Sequence, residues 1–464
     1  MEYDYDLVVI GGGPAGERGA ELAAEFGKRV ALVECKADPG GACVHTGTLP
    51  SKTLREAALE LTGFVQRKLH GLDVRLDKST AVPRLMSRKD AVRTSEVTRI
   101  RRNLTDHKVE ILGGSATFVG DHCLEVTSST GTRRLTTAVA LLATGSNPFR
   151  PREVPFDDPD VDDSDTILDM DVLPERLTVI GGGVIGCEYA SMFAALGSRV
   201  TVIEGRAQVL PFLDREVADG LVRAMEAHGV TFHLGRRYTR VGRVGKEIVT
   251  TCDDGSEVPA DRLLFAAGRS GNTQGLGLER VGLTPDKRGN LAADMNYQTA
   301  VPWIYAAGDV VGNPGLASTG MEQARVAMKH AFSTPDLDSI GHLLPYGIYS
   351  IPEVSSVGET EGSCQEKKVP YAVGRSFYHD NARGKIIGDT EGFIKLVVER
   401  PSGRILGVHL LGERATELVH LGQLAMWYKG TVAELSEMVF NYPTLAEGFK
   451  YACYDAMASL SREP

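Results

Sequence analysis

Residues 8–34 read VVIGGGPAGERGAELAAEFGKRVALVE, and the same kind of stretch recurs at residues 178–204 as TVIGGGVIGCEYASMFAALGSRVTVIE. The two stretches align without gaps and are identical at 12 of 27 positions. Each runs from an apolar segment through Gly-x-Gly-x-x-Gly into a helix-forming segment, a second apolar segment and a glutamate. This order predicts a strand, a tight turn, a helix and a second strand, which together form a dinucleotide-binding unit.

Each copy carries three glycines with separate tasks, namely Gly11, Gly13 and Gly16 in the first and Gly181, Gly183 and Gly186 in the second. The first glycine makes the turn, the second lets the backbone approach a pyrophosphate, and the third lets the helix pack on the strand. Glu34 and Glu204 each follow the first glycine by 23 residues. A carboxylate at that distance accepts hydrogen bonds from a ribose diol. We therefore predict two bound dinucleotides.

Three later apolar segments end in small residues and glycine: LLATG at 141–145, LLFAAG at 263–268 and IYAAGD at 304–309. The spacing of the last segment predicts that the chain comes back to the first nucleotide site there, with Asp309 placed to bind the ribityl chain of a flavin. The second unit is then inserted into the first domain. The predicted fold class is α/β, with two Rossmann-like dinucleotide-binding domains.

The predicted domain boundaries follow from this insertion. The first dinucleotide-binding domain comprises residues 1–150 and 270–340, and the inserted domain comprises residues 151–269. From residue 341 to 464, strand alternation followed by helical periodicity predicts a third, α+β domain.

Composition excludes several classes of function. Lys plus Arg total 51 against 61 for Asp plus Glu, a net charge of −10, so we expect no nucleic-acid partner. No apolar run reaches the roughly 18 residues of a membrane span, and the acidic N-terminus is unlike a signal peptide. The seven cysteines include no Cys-x-x-Cys pair and the histidines no His-x-x-x-His spacing. We therefore expect a soluble cytoplasmic protein without a metal site.

The segment GGACVHTGTLPSK at residues 40–52 adds a further motif. Together with both dinucleotide units, AAGRS (266–270), AAGD (306–309) and YSIPEVSSVGETE (349–361), it resembles the pyridine nucleotide–disulfide oxidoreductase family over essentially the whole chain. The resemblance implies FAD on the first unit, NAD(H) or NADP(H) on the inserted domain, and a C-terminal dimerisation domain that forms a homodimer or a larger homo-oligomer. The further cofactor-binding residues on this basis are Cys43, Thr48, Lys52, Thr144, Gly145, Gly268, Arg269, Gly308 and Asp309.

The sequence departs from the disulfide-reducing members of that family at two places. Cys43 matches their first redox cysteine, but Thr48 stands at the second, so the redox-active disulfide cannot form. Tyr442 stands where those enzymes carry the histidine that acts as acid–base partner of the thiol. Tyrosine, with a pKa near 10, is a poor thiol base at neutral pH. Disulfide reduction is therefore excluded as the predicted activity.

Lys52 and Glu188 match the family's catalytic ion pair beside flavin N5, although they could also be ordinary surface charges. The stretches CVHTGTLPSKTLRE (43–56) and FNYPTLAEG (440–448) resemble the soluble, Si-specific NAD(P)+ transhydrogenases of the family. That resemblance implies a ping-pong reaction, NADPH + NAD+ = NADP+ + NADH, in which hydride passes through flavin N5 at a single nicotinamide site.

Several alternatives remain open at this stage. The chain could instead be an NAD(P)H oxidase or diaphorase that passes electrons to oxygen or a quinone, or a non-enzymatic sensor of nucleotide redox state. Cys43 is either a packing residue or a reactive thiol. Glu204 favours NAD(H) over NADP(H), whereas Arg206 could pair with a 2′-phosphate or be an ordinary surface charge.

Overall fold

The computed structural model describes residues 3–62, 78–332, 341 and 343–462. Its strands, in chain order, are β1 (Tyr5–Ile10), β2 (Val30–Glu34), β3 (Glu110–Gly113), β4 (Ser115–Gly120), β5 (Cys123–Ser128), β6 (Gly131–Leu142), β7 (Ser146–Pro148), β8 (Val161–Asp163), β9 (Arg176–Ile180), β10 (Arg199–Glu204), β11 (Val230–Leu234), β12 (Tyr238–Val244), β13 (Glu247–Cys252), β14 (Glu257–Ala260), β15 (Arg262–Phe265), β16 (Arg269–Gly271), β17 (Ile304–Ala306), β18 (Tyr346–Ile348), β19 (Val354–Gly358), β20 (Tyr371–Phe377), β21 (Phe393–Glu399) and β22 (Ile405–Leu411).

The α-helices are α1 (Pro14–Glu25), α2 (Gly41–His45), α3 (Thr48–Thr62), α4 (Lys78–Asp106), α5 (Val184–Ala195), α6 (Arg215–Ala227), α7 (Ala317–Ala331), α8 (Glu361–Lys367), α9 (Ala382–Ile387), α10 (Ala415–Trp427), α11 (Val432–Glu437) and α12 (Gly448–Leu460). Short 3-10 helices occur at Thr166–Asp169, Leu278–Val281 and Asp309–Val311. Among the described helices, none combines the length and the apolar composition needed to span a membrane.

The first of two compact units comprises residues 1–53, 86–149 and 268–341. Its main sheet has the strand order β3-β2-β1-β6-β5-β4, with β17 paired to β6. Strand β6 pairs in parallel with β1 and β17 near its carboxyl end and antiparallel with β5 near its start. This long strand therefore joins a Rossmann-like parallel sheet to an antiparallel hairpin.

Strand β1 lies at the centre of this unit and is buried on both faces. Leu7 and Val9 belong to a cluster with the small residues of α1 and α7, whereas Val8 and Ile10 pack with the apolar side chains of the β4–β6 hairpin. Successive side chains of a strand point to opposite faces, and helices cover parallel sheets. The continuous apolar run in the sequence is thus the expected pattern for this strand.

The second unit comprises residues 54–85, 150–267 and 342–464. It contains a parallel sheet of order β11-β10-β9-β15-β8, the antiparallel meander β12-β13-β14, and an antiparallel sheet of order β18-β19-β22-β21-β20. Along the chain, β8–β15 lie between β6 and β17, which pair in the sheet of the first unit. The predicted α/β class, with one Rossmann-like domain inserted in another and an α+β domain at the carboxyl end, is confirmed.

A buried lysine links two parts of the second unit. The side chain of Lys395 on β21 is 1% exposed, and its Nζ lies 2.7 Å from Asp214 Oδ1, 2.9 Å from Glu216 Oε2 and 2.5 Å from Glu361 Oε1. Asp214 also caps α6, because its Oδ1 accepts a hydrogen bond from the Glu216 N–H at 3.1 Å. The three carboxylates lie close enough to share a cation, and the Lys395 ammonium bonds to all three of them, while Arg375 also pairs with Glu216 at 2.8 Å.

Candidate functional site

The first glycine turn connects β1 to α1. A Cβ added to Gly11 would lie 2.4 Å from Ala143 O, and one added to Gly16 would lie 1.9 Å from Gly11 O. These two glycines are therefore required by packing within the protein. At Gly13 the nearest described atom would be Gly41 Cα at 3.7 Å. The second glycine thus faces open space at the amino end of α1, where a backbone N–H can approach a phosphate.

The second turn, between β9 and α5, repeats this arrangement. A Cβ on Gly181 would lie 2.7 Å from Ala266 O, and one on Gly186 would lie 1.8 Å from Gly181 O. No described atom lies within 4 Å of a Cβ on Gly183. Both turns thus keep space open at the one glycine that the motif reserves for a pyrophosphate, and the residues present fit two dinucleotides.

Glu34, the last residue of β2, is buried beside the first turn and is 6% exposed. Its Oε2 accepts a hydrogen bond from the Gly12 N–H at 2.8 Å, and its Oε1 accepts one from the Lys36 N–H at 2.8 Å. The carboxylate is therefore held in one orientation next to the turn. An acceptor fixed in this way suits the diol of a ribose.

Glu204, the last residue of β10, holds the equivalent position at the second turn. Its Oε2 accepts from the Gly182 N–H at 2.7 Å, and the Arg206 guanidinium donates to both carboxylate oxygens at 2.8 Å. Burial tends to raise the pKa of Glu204, but the bonds from Arg206 and Gly182 outweigh it, and the pKa lies below its ordinary value. Glu204 is therefore ionised, and a bidentate arginine offsets its charge.

Around Asp309 a chain of polar groups joins three predicted segments. Ser146 Oγ donates to Asp309 Oδ2 at 2.8 Å and accepts from Arg269 Nε at 2.8 Å, while a second guanidinium nitrogen of Arg269 donates to Ser146 O at 2.7 Å. Sequence reasoning missed Ser146, although it directly follows the Ala-Thr-Gly motif. The Oγ1 of Thr144 is buried without a hydrogen-bond partner among the described residues. Buried hydroxyls are normally paired, so this atom is available to a cofactor.

The remaining predicted glycines of this site lie at turns. Gly145, Gly268 and Gly308 have φ values of 70°, 122° and 81°, which side chains disfavour. The Gly308 N–H donates to Gln323 Oε1 at 2.7 Å. Gln323, buried on α7, is a second residue that the sequence did not single out, because glutamine in a helix carries no motif.

Cys43 and Thr48 lie on either side of the link between α2 and α3. Burial raises the pKa of the Cys43 thiol, while the neighbouring Thr48 hydroxyl and the charge of Lys52 lower that pKa by less. The thiol is therefore protonated at neutral pH, and the residue facing it is a hydroxyl rather than a second thiol. Cys43 is accordingly a poor nucleophile.

The predicted catalytic pair is divided between the two units. Lys52 lies on α3 in the first unit, and Glu188 lies on α5 in the second. Glu188 is buried, and its Oε1 accepts a hydrogen bond from the Tyr349 N–H at 2.9 Å. The carboxylate of Glu188 is thus oriented by a backbone N–H of the YSIPEV segment. The pairing of Lys52 with Glu188 stays a prediction.

The NYPT segment lies at the surface of the second unit. Tyr442 is 73% exposed, and the nearby Glu447 accepts a hydrogen bond at Oε1 from the Tyr451 hydroxyl at 3.3 Å. Glu447 therefore has a tyrosine partner within its own subunit. Large apolar side chains are exposed in the same unit, among them Leu424, Trp427, Tyr428 and Val439.

Comparisons with known proteins agree with this geometry. Residues 5–331 match the family model of pyridine nucleotide-disulphide oxidoreductases, and residues 344–453 match the dimerisation domain of the same family. The chain is similar to the soluble pyridine nucleotide transhydrogenase of Mycobacterium tuberculosis, with 45% identity over 98% of this chain and 97% of the relative. The enzyme of the same name from Pectobacterium atrosepticum is 39% identical over 99% of both chains.

Two solved structures have the same fold over nearly their full length. The HOCl-induced flavoprotein disulfide reductase RclA from Escherichia coli superposes with a TM-score of 0.88 at 28% identity, covering 98% of this chain and 99% of that one. LpdA from Mycobacterium tuberculosis superposes with a TM-score of 0.88 at 29% identity, covering 97% and 99%.

Proposed function

The chain belongs to the pyridine nucleotide-disulphide oxidoreductase family, a family of FAD-dependent enzymes that use NAD(P)(H), and from this premise we propose that it is a Si-specific NAD(P)+ transhydrogenase. The proposed reaction is NADPH + NAD+ = NADP+ + NADH. The observation that carries the proposal is that the hydroxyl of Thr48, and not a second thiol, neighbours the Cys43 thiol, where disulfide reductases need two thiols. Full-length similarity to relatives named transhydrogenase supports it.

We assign FAD to the first unit. The residues proposed to hold it are Gly11, Gly13, Gly16, Glu34, Cys43, Thr48, Lys52, Thr144, Gly145, Gly308 and Asp309. When bound, FAD supplies a ring that accepts a hydride equivalent from one nicotinamide and returns it to another. The Thr144 hydroxyl and the Ser146-oriented carboxylate of Asp309 are available for its polar groups.

We assign the nicotinamide nucleotides to the β9–α5 turn, through Gly181, Gly183, Gly186, Glu204 and Arg206. Gly268 and Arg269 are further proposed cofactor-binding residues, and Arg269 bonds to Ser146 beside Asp309 in the first unit. One nicotinamide site is sufficient, because the two substrates differ only in a 2′-phosphate. The protein contributes orientation and a polar environment at this site.

Lys52 and Glu188 are the proposed catalytic residues. A positive charge from Lys52 would stabilise negative charge on the flavin ring. A carboxylate at Glu188, oriented by the Tyr349 N–H, would in turn hold the lysine side chain in place. Both residues act as fixed charges and neither forms a covalent bond in the reaction.

The Glu204–Arg206 pair is proposed to let one site accept both nucleotides. Ionised Glu204 suits the free 2′-hydroxyl of NAD(H) and repels a 2′-phosphate. Arg206 neutralises that charge through two short bonds. With Arg206→Ala, the use of NADPH should fall while the use of NADH is spared; equal losses with both nucleotides would refute this role.

We further propose that the enzyme is a cytoplasmic homodimer or larger homo-oligomer, with domains at residues 1–150 and 270–340, 151–269 and 341–464. The exposed Trp427, Tyr428 and Val439 are 60%, 77% and 93% accessible. Burying such side chains against a second copy would be favourable.

The test is anaerobic turnover of NADPH and thio-NAD+ by the purified FAD-loaded protein. The proposal predicts steady formation of reduced thio-NAD without oxygen or quinone, and parallel double-reciprocal plots. If NADPH bleaches the flavin but thio-NAD+ cannot restore its absorption, the transhydrogenase assignment fails and an oxidase or diaphorase acceptor is indicated.

A further inference from the structure

Two arginine-bearing segments meet at the carboxyl end of β10. One is the loop after Glu204, which carries Arg206, and the other is the link between β11 and β12. The Gly235 N–H donates to Arg206 O at 2.9 Å, and the Arg236 N–H donates to Glu204 O at 3.1 Å. These backbone bonds hold the two segments side by side, next to the carboxylate assigned to the ribose.

The arginines at this junction differ in what their guanidinium groups bind. Arg206 is engaged by both oxygens of Glu204. The Nε of Arg236 lies 3.1 Å from Asp254 Oδ2. Each of these two guanidinium groups therefore already has a carboxylate partner.

Arg237 is different. Its backbone N–H donates to Asp253 Oδ1 at 3.1 Å, but its exposed guanidinium has no carboxylate partner within 4 Å among the described residues. The side chain runs across Gly205, since a Cβ added there would lie 3.0 Å from Arg237 Cγ and 3.5 Å from Nε. The absence of a side chain at Gly205 thus lets a guanidinium reach the residue next to Glu204.

We propose that Arg237 recognises the 2′-phosphate of NADP(H), while Arg206 neutralises Glu204. This inference rests on the proposed function, which places both nucleotides at this site. The Arg206 and Arg236 guanidinium groups are already paired with Glu204 and Asp254, so that of Arg237 is the one at this junction, among the described residues, that a phosphate could bind without displacing a carboxylate. A guanidinium can donate two parallel hydrogen bonds to a phosphate. NAD(H), which lacks the phosphate, gains nothing from this residue.

The experiment uses two nucleotides that cannot transfer hydride, 2′-phospho-ADP-ribose and ADP-ribose. Their dissociation constants are measured by titration calorimetry on the FAD-loaded wild type and on Arg237→Ala, Arg237→Lys and the control Arg240→Ala. Arg240, on β12, is exposed and carries the same charge. We expect Arg237→Ala to weaken 2′-phospho-ADP-ribose about tenfold or more, equivalent to about 1.4 kcal/mol, and to leave ADP-ribose within about twofold.

Arg237→Lys should recover part of the affinity, because lysine keeps the charge but loses the planar fork. In the transhydrogenase assay, Arg237→Ala should raise KM for NADPH and leave kcat and the KM for NAD+ unchanged. Equal weakening of both ligands, or a loss no larger than that of Arg240→Ala, would overturn the inference.

The outcome also separates this inference from the proposed function. If the wild type transfers hydride from NADPH to thio-NAD+ but Arg237→Ala binds both probes normally, only the role of Arg237 is wrong. If the wild type transfers no hydride while Arg237→Ala selectively loses 2′-phospho-ADP-ribose, the transhydrogenase assignment fails and the phosphate subsite stands.

Discussion

Alanine at Gly183 and at Gly186 should change stability in opposite directions, although the two positions lie in the same turn. A Cβ on Gly186 would stand 1.8 Å from Gly181 O, where real Cβ atoms keep at least 3.0 Å. The contact is with backbone, so the turn itself would have to move by more than an ångström. Overpacking lowers the free energy of unfolding by about 1–3 kcal/mol, whereas replacing a glycine within a helix by alanine raises it by about 1 kcal/mol. Because no side chain can rotate away, we expect a net loss of about 2 kcal/mol.

Gly183 has an ordinary extended conformation, with φ −82°, and open space where a Cβ would stand. Alanine there should stabilise the protein by about 0.4–1 kcal/mol, because the unfolded chain loses conformational freedom. The same methyl group would occupy the space that the motif leaves for a pyrophosphate. The affinities for NADH and NADPH should therefore both fall, by about tenfold or more.

The assay combines thermal unfolding of the FAD-loaded protein with nucleotide titration. At about 1 °C per kcal/mol for a chain of 464 residues, Gly186→Ala should lower Tm by about 2 °C and Gly183→Ala should raise it by about 1 °C or less. Gly242→Ala, an open position on β12 outside the turn, is the matched control and should keep normal affinity. Normal nucleotide binding by Gly183→Ala would refute the assignment of this turn, and an unchanged Tm for Gly186→Ala would refute the packing argument.

Three other predictions concern buried charge and Cys43. Lys395→Met should lower the free energy of unfolding in urea by about 3–5 kcal/mol, since it leaves the buried carboxylate of Asp214 without its lysine partner; no measurable loss would contradict the cluster. Burial tends to raise the pKa values of Asp214 and Glu216, but bonds from cationic partners, Lys395 among them, hold both below their ordinary values. The stabilising contribution of these two carboxylates is therefore complete above the ordinary carboxyl range and is lost as pH falls through the depressed pKa values. In the acid range, the free energy of unfolding of Lys395→Met should therefore depend less steeply on pH than that of the wild type. Alkylation of Cys43 by iodoacetamide should rise with pH to a midpoint above the ordinary thiol pKa of 9.0; a midpoint near neutrality would show a reactive thiolate.

The two dinucleotide units could be predicted from the sequence because their constraints are local. Gly16 and Gly186 are needed so that a helix can pack on the strand that precedes it, and this requirement shows within six residues of sequence. The apolar stretch FIKLVVE likewise forms a strand, β21, although its first six residues are all buried and burial does not alternate along it. Motifs of this kind depend on residues that are close in the chain, and they can therefore be recognised from the sequence alone.

The partners that orient the site could not be predicted, because they come from distant parts of the chain. Ser146 lies 163 residues from Asp309, and the Tyr349 N–H lies 161 residues from Glu188. Lysines are usually exposed, and only three carboxylates that are distant in sequence explain the burial of Lys395. Nothing in the sequence marks Arg237 as a binding residue, since it is only a charged residue that follows a predicted strand.

The central claim is that hydride passes between two nicotinamide nucleotides without a protein disulfide, and an anaerobic titration tests it most directly. FAD-loaded protein is titrated with NADPH, and NAD+ is added after the flavin absorption has been bleached. One NADPH per flavin should complete the bleaching, and NAD+ should restore the absorption while one NADH forms. Uptake of a second NADPH per flavin, or failure of NAD+ to restore the absorption, would contradict the central claim.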